Sequence, residues 1–77
     1  MQYLNFGKFI HNKREGLQPK PSLNSFAIEN GIEPATLSRI ENGKQGIKLV
    51  DIGKIAKGFN MLASELISEY EKQSESK

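Results

Sequence analysis

The fold turns on one stretch, Leu23-Asn-Ser-Phe-Ala-Ile-Glu-Asn-Gly31-Ile-Glu-Pro34-Ala-Thr-Leu37-Ser-Arg-Ile-Glu-Asn42. Ala27, Gly31 and Leu37 stand in it at offsets of four and six, with apolar Phe26, Ile32 and Ile40 around them. Ser22, just upstream, is a natural N-cap, because its hydroxyl can accept from the orphan amides of a first helical turn. Leu23, Phe26, Ala27 and Ile28 then supply the apolar face of a short helix. Asn30-Gly31 ends that helix, since glycine enters the left-handed region without steric cost. Pro34 fits the first position of the next helix, where its missing N–H has no partner to lose. Leu37 and Ile40 face inward from that second helix, and Asn42-Gly43 closes it. Ala27 is small where the two helices must cross. This is the spacing of a helix-turn-helix unit.

The rest of the chain continues the helical period. Tyr3, Phe6 and Ile10, three and four apart, mark a first helix that ends near Arg14-Glu15, with Gly16 as its C′ stop. Gln18-Pro19-Lys20-Pro21 is a loop, because each proline disfavours helical geometry in the residue before it. Leu49, Ile52, Ile55, Ala56 and Phe59 define a fourth helix, and Leu62, Leu66, Ile67 and Tyr70 a fifth. Strand-like alternation is poor, and Val50 is the sole valine. There are no internal repeats. The expected fold is all-α: a compact five-helix domain over residues 1–72, with a helix-turn-helix at its second and third helices. Residues 73–77 are expected to form a polar, disordered tail.

Composition limits the chemistry. Seventy-seven residues, 36% hydrophobic and 26% charged, make one small domain. Such a core supplies only about 3–5 kcal/mol by itself. With no cysteine, disulfides and thiolate metal sites are excluded. With one histidine, His11, a His-rich metal site and a Ser-His or Cys-His catalytic group are excluded too. No enzyme, cofactor or metal is expected, and no small-molecule substrate is evident. No apolar run approaches the roughly 18 residues of a membrane span. The N-terminus lacks the plan of a secretory signal, so the expected location is cytoplasmic. Helix packing and oligomerisation remain as sources of stability. The net charge of +2 permits a polyanion partner without demanding one.

The residues around the helix-turn-helix point further. Leu37-Ser-Arg-Ile-Glu-Asn-Gly-Lys44, then Leu49-x-x-Ile52-x-x-Ile55-Ala56-Lys57, resembles the lambda-repressor-like (XRE-type) helix-turn-helix family. Phe6-Gly7-x-x-Ile10-x-x-x-Arg14 and the closing Glu65-Leu66-Ile67 match it as well. The resemblance covers about residues 6–67. It implies a five-helix bundle that binds double-stranded operator DNA, commonly as a two-fold dimer. It also implies that Arg14 and Glu41 form a structural ion pair between helix one and the end of helix three. Thr36 and Arg39 match positions facing base edges, beside Ala35 and Ser38. Asn42 and Lys44 match the loop that lies along the phosphates, and Ser22 is expected to contact phosphate as well.

Several residues depart from the family pattern. Leu23 stands where the family often has a glutamine that touches the DNA backbone. Pro34 and Ala35 cannot hydrogen-bond bases, although Ala35 can touch a thymine methyl. Direct readout therefore rests on Arg39, with Thr36 and Ser38 in support. Glu33 would repel phosphate unless it accepts from a cytosine amine; otherwise it is an acid favoured by the helix dipole. Lys20, in a loop slightly longer than usual, is expected to be solvated. Ile47-Lys48 replaces a frequent Pro-Ser, so helix four loses its usual cap.

The net charge hides an asymmetry. Residues 1–60 carry nine basic and five acidic side chains, and residues 61–77 two and four. The body is thus basic and the end acidic, although a solvated helix end accounts for those acids equally well. His11, opposite the apolar stripe of helix one, is expected to be exposed and without a role. Met61, Leu62, Leu66 and Tyr70 give the last helix more apolar surface than a terminal helix needs, so they are expected to form a homodimer interface. The sequence reads as a sequence-specific transcriptional regulator, of the phage-repressor or restriction–modification controller type. A protein-interaction or antitoxin-type module on the same fold is the alternative, and spacing alone leaves a helix-turn-helix corner without DNA open.

Overall fold

A computed structural model describes residues 5–75, which form five α-helices and no strand. These are α1 (Phe6–Glu15), α2 (Leu23–Glu29), α3 (Pro34–Glu41), α4 (Leu49–Gly58) and α5 (Ala63–Glu75). Tyr3 lies outside the described residues. α5 runs to Glu75, past the boundary expected at residue 72. None of the helices is long and apolar enough to cross a membrane.

The ends of the helices explain the bundle's tight connections. Ser22 caps α2, its Oγ accepting from the Ser25 amide at 3.1 Å. α2 then stops in a Schellman turn: Gly31 takes φ +75°, and the Ile32 amide reaches back to the Ala27 carbonyl at 2.8 Å. α3 stops the same way, with Gly43 at φ +71° and the Lys44 amide on the Arg39 carbonyl at 2.8 Å. A third copy ends α4, where Asn60 supplies the left-handed residue at φ +59° and the Met61 amide bonds the Ala56 carbonyl at 2.9 Å. Asparagine tolerates this region because its short polar side chain can hydrogen-bond locally.

Gly16 corrects an expectation. It follows α1 in a right-handed conformation, φ −85°, and donates back to the Asn12 and Lys13 carbonyls. The chain leaves α1 through a tightened last turn and needs no left-handed residue there. Lys48, the N-cap residue of α4, makes no side-chain capping bond, as its sequence implies. α5 gains half of a capping box, since Glu65 Oε1 accepts from the Leu62 amide at 2.8 Å.

α1 packs on α3, α2 on α3, and α4 on α5. Ile10, Leu37, Ile55 and Leu66 are fully buried at the centre. At one end Phe6, Phe9 and Tyr70 form an aromatic cluster, with Phe6 edge-on to Tyr70 at 5.1 Å between ring centroids. At the other, Phe26 packs on Phe59, also at 5.1 Å. The cluster corrects the expected dimer surface. Leu66 (0% exposed) and Tyr70 (5%) turn into their own core, where the α1 aromatics need partners. Met61 is half-buried and Leu62 is 68% exposed.

Gly7 fixes how closely α1 approaches α3. A Cβ at this position would sit 1.8 Å from the Ile40 carbonyl oxygen, which belongs to backbone and cannot swing away. Only glycine lets the two helix backbones come this near.

Candidate nucleic-acid interface

α3 has two sides with different chemistry. Leu37, Ile40 and Glu41 are buried. Ala35 and Arg39 are exposed, and Thr36 and Ser38 are half-buried at the margin. The inward residues repeat at helical spacing, so the four candidate base-reading residues occupy the remaining arc.

The inward side is locked by charge. Arg14 Nε donates to Glu41 Oε2 at 2.8 Å, and Nη2 donates to Oε1 at 2.9 Å. Arg14 Nη1 also donates to the Pro21 carbonyl at 3.1 Å, so one guanidinium joins α1, the loop before α2 and the end of α3. Burial raises the Glu41 carboxyl, but hydrogen bonds from Arg14 and His11 outweigh it and hold the group below its ordinary range. The Arg14 guanidinium is raised above its ordinary value, chiefly by its hydrogen bond to Glu41.

His11 is part of this lock, contrary to the reading of its sequence position. Its Nδ1 lies 2.9 Å from Glu41 Oε1 and its Nε2 lies 3.9 Å from Glu15 Oε2. The ring remains half-exposed, yet it covers the one carboxylate that the sequence pairs with arginine. The partner is 30 residues away, beyond the reach of local pattern.

The outward side carries its own hydrogen-bond chain. Arg39 Nε donates to Gln45 Oε1 at 2.6 Å, and Nη2 donates to Thr36 Oγ1 at 3.3 Å. Thr36 Oγ1 in turn donates to Glu33 Oε1 at 3.4 Å. Glu33 is the N-cap residue of α3 and makes no capping hydrogen bond, so its carboxylate is left to face Thr36 and, through it, Arg39. Asn42 Nδ2 donates to the Ser38 carbonyl at 2.8 Å, folding back over the last turn. Lys44 is exposed beyond it. Ser22 sits apart from this group, as the cap of α2.

Gln45 is the residue that sequence reasoning missed. The readable signal was Gly43, because a chain that reverses there returns position 45 to the side of the preceding helix.

The site's layout now meets the comparisons. Control protein C.MunI from Mycoplasma sp is 40% identical over 52 residues, which cover 68% of this chain and 70% of that protein. The chain belongs to the XRE-type helix-turn-helix family. The uncharacterized HTH-type transcriptional regulator YvzC of Bacillus subtilis (strain 168) is 44% identical over 45 residues, 58% of each chain. No family-wide sequence profile and no solved structure matches the chain. XRE-type membership makes it a DNA-binding transcriptional regulator and not an enzyme.

Proposed function

We propose that this XRE-type regulator binds a specific operator as a homodimer, with α3 in the major groove of each half-site. The observation that carries the reading is the division of α3: its inner side is pinned by Arg14, and its outer side presents Ala35, Thr36, Ser38 and Arg39. Arg39 is the principal reader. Its Nε and one Nη2 hydrogen are engaged by Gln45 and Thr36. Both Nη1 hydrogens and the second Nη2 hydrogen are left, and parallel donors of this kind suit the O6 and N7 of guanine. Ala35 suits a thymine methyl. Ser22, Asn42 and Lys44 lie along the phosphates and set register.

Met61 and Leu62 form the dimer contact. Two copies would then address half-sites about 34 Å apart, one helical turn of DNA. The likeness to a control protein supports a regulator of the restriction–modification controller type. Selection of binding sites from a random duplex pool tests the proposal. A two-fold site with a guanine in each half is expected, with affinity falling steeply as salt rises. Absence of any salt-dependent binding to duplex would leave the protein-interaction alternative in its place, and duplex binding without sequence preference would overturn the specific operator.

A further inference from the structure

Arg39 stands on the last turn of α3, and Gln45 stands in the loop that leaves it. The link between them is geometric. Gly43 reverses the chain at φ +71°, and the Lys44 amide fastens to the Arg39 carbonyl at 2.8 Å. Two main-chain constraints thus carry the next residue back to Arg39's side chain. Arg39 Nε–H is a donor only, so the Gln45 atom facing it at 2.6 Å is the amide oxygen. Gln45 is half-buried, and it lines a pocket together with Ile40, Ile47, Ile52 and Ile67. A long, flexible arginine is therefore held by a residue that is itself seated.

We propose that Gln45 is a positioning residue for DNA sequence recognition. By accepting from Nε it holds the guanidinium plane so that the outer pair of Nη donors points away from the protein. Thr36, accepting from Nη2 at 3.3 Å, makes the second support. Without Gln45 the side chain regains rotamers, and one of them turns toward the Glu33 carboxylate that already holds Thr36. The inference rests on Arg39 as the base reader.

Site selection on the wild type, Arg39→Ala, Gln45→Ala, Gln45→Asn and Gln45→Glu tests it. Arg39→Ala first identifies the base position that Arg39 reads. At that position Gln45→Ala is expected to lower the guanine preference by about 5- to 10-fold, part of what a bidentate arginine–guanine pair supplies. Affinity for non-specific duplex and its salt slope stay unchanged. Gln45→Asn, one methylene short, behaves as Gln45→Ala. Gln45→Glu, which keeps an acceptor at full length, retains most of the preference. In a double variant that combines Arg39→Ala with Gln45→Ala, loss of Gln45 adds nothing to loss of Arg39 at that position. In the free protein, Gln45→Ala is expected to shift the Arg39 Nε–H resonance, a readout independent of DNA.

The proposal is overturned if Arg39→Ala erases the preference while Gln45→Ala keeps it in full. It is also overturned if Gln45→Ala acts at a different base position, which would make Gln45 a direct reader. If Arg39→Ala leaves the selected site unchanged, the reading of Arg39 itself fails, and that result is distinct from both.

Discussion

Arg14 and Glu41, 27 residues apart, meet through two parallel hydrogen bonds of 2.8 and 2.9 Å, and each residue is buried. The pair sets the pose of α3, because Glu41 is its last residue. Breaking it from one side strands a charge in the core. Glu41→Ala or Arg14→Ala is expected to cost about 3–5 kcal/mol, read from urea unfolding. Replacing both with apolar residues of similar volume is expected to cost much less, since no charge is left behind.

The same pair gives an acid sensitivity with a defined sign. The Glu41 carboxyl is lowered in the folded state, so its contribution is present above the unfolded value, about 4.3, and is lost as pH falls through the folded value. Urea midpoints measured from neutral pH down to acid should fall more steeply for the wild type than for Glu41→Gln, which starts less stable but lacks this titration. Parallel curves for the two would contradict the assignment.

Two glycines should respond differently to alanine. At Gly7 the new methyl group meets the Ile40 carbonyl oxygen at 1.8 Å, so α1 and α3 must part. Overpacking of this kind costs about 1–3 kcal/mol or more, and the thermal midpoint should drop accordingly. At Gly43 nothing lies within 4 Å, and only the left-handed backbone resists, at about 1–2 kcal/mol. Gly7→Ala should also weaken operator binding by displacing α3, whereas the cost at Gly43 falls on the Arg39–Gln45 link.

These contrasts show what the sequence could disclose. Ser22, Gly31, Pro34 and Gly43 were legible because each answers a demand made by its own few residues: a cap, a left-handed turn, a first-turn position. Asn60 makes the same turn as the two glycines, but asparagine advertises it weakly. The inner and outer faces of α3 followed from the spacing of Leu37 and Ile40. The faces of α5 did not, because Leu66 and Tyr70 look equally apolar whether they serve a partner or the α1 aromatics. His11 and Gln45 were illegible for a different reason: their partners are reached through the tertiary fold.

Arg39 and Lys44 should separate specificity from affinity. Arg39→Ala is expected to relax preference at one base position by about 1–3 kcal/mol. Lys44→Ala should weaken binding to all duplexes alike and reduce the salt slope by about one. Anisotropy titrations on matched and scrambled duplexes at several salt concentrations distinguish the two.

Leu62 and Leu66 offer a matching test of assembly. Leu62 is 68% exposed, so Leu62→Glu should leave folding intact and shift a dimer toward monomer in sedimentation. Leu66 is fully buried, so Leu66→Ala should cost about 2–5 kcal/mol of stability whatever the oligomeric state. An unchanged sedimentation profile for Leu62→Glu would remove that side chain from the dimer contact.

The Schellman turns at Gly31, Gly43 and Asn60 also bear on how quickly the chain finds its shape. Each is completed by main-chain bonds spanning five residues, and α2 with α3, like α4 with α5, are partners adjacent in sequence. Such short-range closure places the domain among proteins that fold in microseconds to milliseconds. Arg14 and Glu41 belong to the longer-range contacts, closing a loop of 27 residues. Their contact should form after the rate-limiting step, so its loss would hasten unfolding while leaving the folding rate nearly unchanged.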